Sequence, residues 1–140
     1  MVTVRKTAPS LALFVFPAVL AVAWAGPRGS GNLANFRVEA AGSDAGGEFC
    51  RRFRLSGEQA QSFFQRAQRV DARVLHDSFD RLPCWVRGVA EGEGGAWHWE
   101  VRAGGTARLI APDGAVSLLG CSDCEAVLRG DERPSANPLD

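Results

Sequence analysis

The sequence lacks an excess of charge of either sign. It counts 16 basic and 16 acidic residues, for a formal net charge of +0 at pH 7. A protein dedicated to nucleic acid normally carries a basic excess, so this balance argues against a nucleic-acid partner. No lysine follows Lys6, and we attribute the exclusive use of arginine after it to a compositional bias.

The sequence also lacks an apolar run long enough to span a bilayer as a helix, which takes roughly 20 residues. The apolar run at residues 11–25 is shorter, follows the cationic pair Arg5 and Lys6, and ends in the small-residue site Ala23-Trp24-Ala25. That order is typical of a secretory signal peptide. We therefore expect residues 1–25 to be a cleaved signal peptide that leaves no stable membrane span. The mature protein is then expected to be periplasmic or secreted, and an uncleaved anchor is the alternative.

Cysteine is scarce, and all four cysteines follow the predicted signal, at Cys50, Cys84, Cys121 and Cys124. An even number in a short exported chain predicts a disulfide framework. A bridge between Cys121 and Cys124 would close a very short loop and restrain the unfolded chain little. We therefore expect Cys84 to pair with Cys121 and Cys50 with Cys124, and the exchanged pairing is a close alternative.

Three segments follow the predicted signal. Residues 26–47 are rich in glycine and polar residues and are predicted to form a flexible N-terminal segment, with a short edge strand at residues 36–40. Residues 48–128 are predicted to form a single α+β domain. Residues 129–140 are polar, contain two prolines, and are predicted to be a disordered tail.

Within the predicted domain, the pattern indicates a strand, a helix and four further strands. Residues 48–55 alternate like a half-buried strand. Ser56 and Gln59 form a capping-box pattern before a helix whose apolar positions recur as far as Val74. Four strand-like runs separated by turn residues follow, at residues 84–91, 96–103, 106–111 and 115–121.

This order predicts an α+β fold in which one amphipathic helix packs on a four- to five-stranded antiparallel meander, β-α-β-β-β-β, linked by disulfides. The topology resembles that of cystatin-like folds, although their Gln-x-Val-x-Gly inhibitory segment is absent. Trp97, Trp99 and Val101 share one strand face, so we expect them to be buried beneath the helix. A domain of this size is marginal on its core alone, which gives the disulfides a structural purpose.

The motif Cys121-Ser122-Asp123-Cys124 admits chemical interpretations as well as the structural one. A redox site requires a substantial helix after the motif, and only residues 125–128 are available for one. A zinc site would recruit Cys84 and His76, but the second ligand pair that makes such a signal strong is missing. We therefore expect structural disulfides with no metal and no cofactor, and a thiol-redox or metal-binding protein using Cys121 and Cys124 is the alternative.

A second cluster, His76-Asp77-Ser78 with Asp80, contains the residue types of a hydrolase. The members of a catalytic triad come from separate elements, so adjacent placement argues against catalysis. A polar loop after a helix explains the cluster, because a histidine near the helix C-terminus interacts favourably with the helix dipole. We therefore predict no catalytic residue and favour a binding protein over an enzyme.

The candidate binding surface combines an aromatic side chain with arginines. Trp85 is expected to be more exposed than the other strand tryptophans. Arginines concentrate on the polar face of the predicted helix, where a charge-dense surface is usually just solvated. The functional hypothesis is that this surface binds an acidic protein partner or an anionic polymer of the cell envelope. The candidate residues are Trp85, Arg66, Arg69 and Arg73.

Several motifs together carry a resemblance: Cys50-Arg-Arg-Phe53-Arg-Leu55, a helix with Phe64 and Ala67, His76-Asp77, Pro83-Cys84, Gly88, a tryptophan-containing strand and Cys121-x-x-Cys124. In this arrangement the chain resembles small exported bacterial proteins of unknown activity that share a four-cysteine pattern. The resemblance covers most of residues 49–124 and implies one exported domain, with no substrate or mechanism. We predict an exported, non-enzymatic protein that binds a macromolecule as an inhibitor, immunity-type or accessory module of the cell envelope.

Overall fold

The computed structural model describes residues 10, 12, 32–46 and 48–129. Nearly all of the predicted signal peptide and of the predicted tail lies outside the described residues. The strands are β1 Ala34–Ser43, β2 Gln68–Arg69, β3 Cys84–Gly92, β4 Gly95–Arg102, β5 Thr106–Ile110 and β6 Val116–Gly120. They form one antiparallel sheet in the order β1-β3-β4-β5-β6-β2, which confirms the predicted α+β class. The helices are α1 Gly57–Arg66, α2 Ala72–Ser78 and α3 Glu125–Arg129.

The four strands β3 to β6 form the meander that the sequence predicts. Consecutive strands pair antiparallel, and Gly92 pairs with Gly95 across a two-residue turn. Gly94 lies at φ +83° and Gly105 at φ +89°, a backbone region that glycine adopts without steric penalty. The turn chemistry in the sequence therefore sets where each strand ends.

The inner face of the sheet carries the hydrophobic core, and α1 covers it. Ser56 caps α1 by accepting a hydrogen bond from the Gln59 backbone N–H, and the Gln59 side chain accepts one from the Ser56 N–H. The helix buries Phe63 and Phe64 completely, and the Phe64 ring meets Trp99 edge-on at 6.1 Å. Burial of each phenylalanine stabilises the fold by about 1.5–3 kcal/mol. The expected burial of Trp99 and Val101 is confirmed, while Trp97 is half-buried.

The strand β1 corrects the predicted flexible segment in the part of residues 26–47 that it occupies, and it confirms and lengthens the edge strand expected at residues 36–40. It extends from Ala34 to Ser43 and pairs with β3, with register shifts on either side of Val38. Phe36 stacks on Phe64 at 5.6 Å, so β1 contributes to the core. The local sequence of this segment specifies little structure, so its composition indicated a linker. The segment becomes a strand because the edge of β3 supplies its hydrogen bonds.

The predicted strand at residues 48–55 is wrong. Residues Glu48–Cys50 form a single 3-10 turn, and the following residues are irregular up to Leu55. The Arg51 N–H bonds the Glu48 carbonyl and the Phe53 N–H bonds the Cys50 carbonyl, so the backbone satisfies itself locally. The alternation in this segment reflects Phe53 and Leu55 turning inward from a loop.

The continuous helix predicted from Ser56 to Val74 is also wrong, because the structure divides it. α1 ends at Arg66, and Gln68 and Arg69 then pair with Gly120 and Leu119 of β6. Asp71 caps α2 by accepting a hydrogen bond from the Val74 N–H at 2.8 Å. The helical spacing of the apolar residues continues across the break. Pairing of Gln68 and Arg69 with the free edge of β6 nevertheless stabilises the chain more than two further turns of helix would.

The expected cysteine pairing is wrong as well. Cys50 is bonded to Cys84, and Cys121 is bonded to Cys124. The 3-10 turn carries Cys50 to the first residue of β3, which puts its Cα 5.1 Å from that of Cys84. The bridge between Cys121 and Cys124 forms because the turn after β6 brings their Cα atoms to 5.6 Å, although a short loop restrains the unfolded chain little.

Candidate binding surface

The outer face of the sheet is polar and only partly covered. Cross-strand register places Arg87, Glu100 and Arg108 in one row on this face, on β3, β4 and β5. The segment after β2 covers one end, where Phe79 lies so close over Gly120 that an added Cβ would approach its ring to 2.5 Å. The rest of the outer face is open to solvent, in contrast to the inner face beneath α1.

Three adjoining cavities run across this face, and we call them together the outer groove. Their volumes are about 300, 90 and 490 Å³. Glu100 and Arg108 line both the first and the second cavity, and Leu75 and Arg102 line both the second and the third. These shared residues place the three cavities side by side on one face of the sheet. The other walls of the outer groove include Glu39, Asp44, Arg81, Leu82, Arg87, His98, Ile110 and Leu118.

A half-buried arginine organises the acids of the outer groove. Arg102 donates to Glu100, with Nη2 3.0 Å from Oε1, and it also donates a short hydrogen bond to Asp44. The hydrogen bond from Arg102 lowers the pKa of the Asp44 carboxyl, and the reciprocal bond raises the pKa of Arg102. Two carboxylates are therefore held by one guanidinium.

Three other arginines of the outer groove have no such partner. No carboxylate of the described residues lies within 4.0 Å of the guanidinium nitrogens of Arg81, Arg87 or Arg108. Arg87 instead stacks over the Trp85 ring, with its Cζ 4.1 Å from the centroid. A cation–π contact of this kind is worth about 0.5–1 kcal/mol at an exposed site, and it leaves the guanidinium N–H groups able to donate.

The structure does not bring the predicted surface residues together. Trp85 lies on β3, half-buried across Gly42, while Arg69 lies on β2 at the far edge of the sheet with three strands between them. Arg66 ends α1, and Arg73 lies on α2 with Nε 3.8 Å from an Asp77 carboxylate oxygen. Residues of the outer groove that sequence reasoning missed are Arg87, Glu100, Arg102 and Arg108. The signal in the sequence that could have found them is the polar side of the strand alternation.

The Cys121–Cys124 pair is buried. Cys121 is 6% exposed and Cys124 0%, and Asp123 Oδ1 lies 3.2 Å from Cys121 Sγ. The two sulfurs and this carboxylate lie within 4.8 Å of one another, a spacing that suits a metal ion when the thiols are reduced. In the disulfide neither sulfur is a thiolate, so the oxidised pair offers no such ligand.

The structure does not assemble the zinc ligand set or the hydrolase-like cluster that the sequence analysis considered. Cys84 is bonded to Cys50, which removes it from the zinc ligand set that included His76. His76 and Asp77 are exposed neighbours on α2, with Nδ1 and Oδ1 3.0 Å apart. Ser78 ends the same helix and has no hydrogen bond to His76 among the described contacts.

Comparison with known proteins adds no relative. No family model, no curated protein and no solved structure matches this chain. Within the described residues, no helix has the length and apolar character needed to cross a membrane.

Proposed function

We propose that this protein is an exported, non-enzymatic binding module that holds a protein partner in the outer groove, as an inhibitor, immunity-type or accessory module of the cell envelope. The observation that carries the proposal is the outer groove on the sheet face opposite α1, with Leu75 of α2 in its wall. Its arginines Arg81, Arg87 and Arg108 have no carboxylate partner among the described residues. Ionised side chains gathered in a groove without partners are groups that a binding partner can pair.

Export is supported by the cysteine chemistry together with the signal pattern at residues 1–25. Disulfides such as these two form and persist in oxidising compartments, such as the periplasm or the outside of the cell, and are rare in the cytosol. A structural role for Cys121–Cys124 is supported by burial, because thiol–disulfide exchange requires a thiolate to reach a sulfur atom.

The competing function is a thiol-redox protein using Cys121 and Cys124, and the observation that favours it is the Cys-x-x-Cys spacing with Cys124 immediately before α3. A catalytic pair is reduced and reoxidised readily, whereas a buried structural pair resists. Thiol labelling of native, export-matured protein after mild reduction distinguishes them. We expect no labelling of Cys121 or Cys124, and selective labelling of this pair with Cys50 and Cys84 inert contradicts the proposal.

The binding function is tested by photo-crosslinking in cells. A crosslinking side chain replaces Ile110, which lines the groove, and in a matched control it replaces Glu58, an exposed residue of α1. We expect one discrete crosslinked protein from position 110 and none from position 58, and we expect the R87Q/R108Q variant to lose it. A crosslink that appears equally from both positions, or that survives loss of both arginines, refutes the outer groove as the binding site.

A further inference from the structure

We infer that the outer groove recognises an extended, acidic peptide segment of the partner, with carboxylates paired to Arg87 and Arg108 and apolar side chains packed beside Leu75 and Ile110. This inference rests on the proposed binding function and specifies the chemistry of the partner.

The charge of the outer groove favours an acidic ligand. Arg102 already holds Glu100 and Asp44, so Glu39 is the one remaining acid among the groove walls that the structure describes. Three arginines of the groove, Arg81, Arg87 and Arg108, have no carboxylate partner among the described residues, so the unpaired positive charges outnumber this one acid. A guanidinium fork matches a carboxylate in a bidentate geometry, so acidic side chains are the natural complement of these groups.

The positions of the two arginines favour an extended chain. Arg87 and Arg108 flank Glu100 in register, which places their Cα atoms about 10 Å apart across two strand spacings. A peptide lying along β4 would project neighbouring side chains in opposite directions, one toward each arginine. A rounded small anion would pair with one of these arginines and leave the other open.

The length of the outer groove supports the same conclusion. From His98 to Arg102 the strand β4 alone spans about 13 Å, and the groove continues to Leu82. That distance accommodates about four residues of an extended peptide or more. Leu75, Leu82 and Ile110 lie along it as apolar contacts between the charged positions.

The test uses synthetic peptides and the purified, oxidised protein. A fluorescent peptide of about eight residues, in which adjacent pairs of Asp or Glu alternate with adjacent pairs of Leu or Val, places an acid on each side of the extended chain and spans the groove at about 3.3 Å per residue. Its charge-reversed counterpart carries Lys in place of the acids, and citrate serves as the small-anion probe. Fluorescence anisotropy reports binding, and the near-ultraviolet circular dichroism of each variant confirms that the protein remains folded.

We expect the acidic peptide to bind, the basic peptide not to bind, and citrate to compete only weakly. Charge-assisted hydrogen bonds contribute enough that R87Q/R108Q weakens binding by about a hundredfold. The matched control R52Q/R54Q removes the same charge from exposed arginines outside the groove, and its affinity should stay within about twofold.

Three results overturn the inference. Equal weakening by the control variant shows non-specific attraction, citrate binding as tight as the peptide shows a small-anion site, and absence of peptide binding rejects the ligand class. If the crosslink from position 110 persists while the acidic peptide does not bind, only the ligand class is wrong. If that crosslink is also absent, the proposed function is wrong too.

Discussion

The two disulfides should differ strongly in how much they stabilise the fold. Cys50 and Cys84 are 34 positions apart, whereas Cys121 and Cys124 are three apart. The entropy that a crosslink removes from the unfolded chain grows with the logarithm of the loop that it closes. On that basis the long loop contributes about 3.8 kcal/mol and the short loop about 1.6 kcal/mol.

The comparison is between C50A/C84A and C121A/C124A in otherwise identical protein. All four side chains are buried, so loss of their packing affects both variants similarly and largely cancels in the difference. We expect C50A/C84A to be less stable than C121A/C124A by about 2 kcal/mol. For a domain of about 100 residues this corresponds to a difference in Tm of roughly 8–16 °C.

Equilibrium urea unfolding, followed by tryptophan fluorescence, measures both free energies at neutral pH. The slope of each transition must be checked, because a crosslink also changes the surface that unfolding exposes. Equal losses, or a larger loss for C121A/C124A, would refute the loop-entropy reasoning. That result would mean that the short bridge acts on the folded state, through the turn that connects β6 to α3.

Three further predictions concern the fold and its electrostatics. Gly88→Ala places a Cβ 1.8 Å from the Arg37 carbonyl oxygen, so it should destabilise the protein by about 3 kcal/mol, at the upper end for overpacking, visible as a lower urea midpoint. Ser56→Ala should cost about 1 kcal/mol by removing the α1 cap, and an unchanged Tm would contradict this. Because Arg102 lowers the pKa of Asp44, the stability from that pair is present above the ordinary carboxyl pKa and is lost as the pH falls below it. Asp44→Asn should therefore lose less stability than wild type on acidification, most clearly at low salt, and parallel pH profiles would contradict this.

The meander was predictable because its signals are local. Alternation, glycine turns and the sequence Pro112-Asp113-Gly114 lie within the strands and turns that they specify, and each strand ends within about two residues of its predicted position. The start of α1 was predictable for the same reason, since Ser56 and Gln59 satisfy each other across four residues.

The remainder of the fold depends on contacts between residues far apart in the chain. β1 forms because β3 offers it an edge, and Ala34 pairs with Glu91 from more than fifty positions away. The break after Arg66 depends on β6 in the same way, although Asp71 was a local capping signal that could have placed the second helix. The cysteine pairing also depends on where Cys50 lies in the folded protein, and the spacing of cysteines along the sequence does not reveal that position.

The candidate site was the least predictable part. Arg87 and Arg108 belong to different strands, and only the register through Glu100 places them on opposite walls of one groove. The arginines singled out from the predicted helix were separated when that helix divided into α1, β2 and α2.

The pairing of β1 with β3 has a consequence for the order of folding. The hairpins from β3 to β6 join neighbours in the chain and can close early, whereas β1 must wait for a partner synthesised much later. Until then Phe36 lacks its place against Phe64, and it remains an exposed aromatic residue on a nascent chain. The first strand to be made is thus expected to be the last to dock, and an exported chain would cross the membrane with that strand still unpaired.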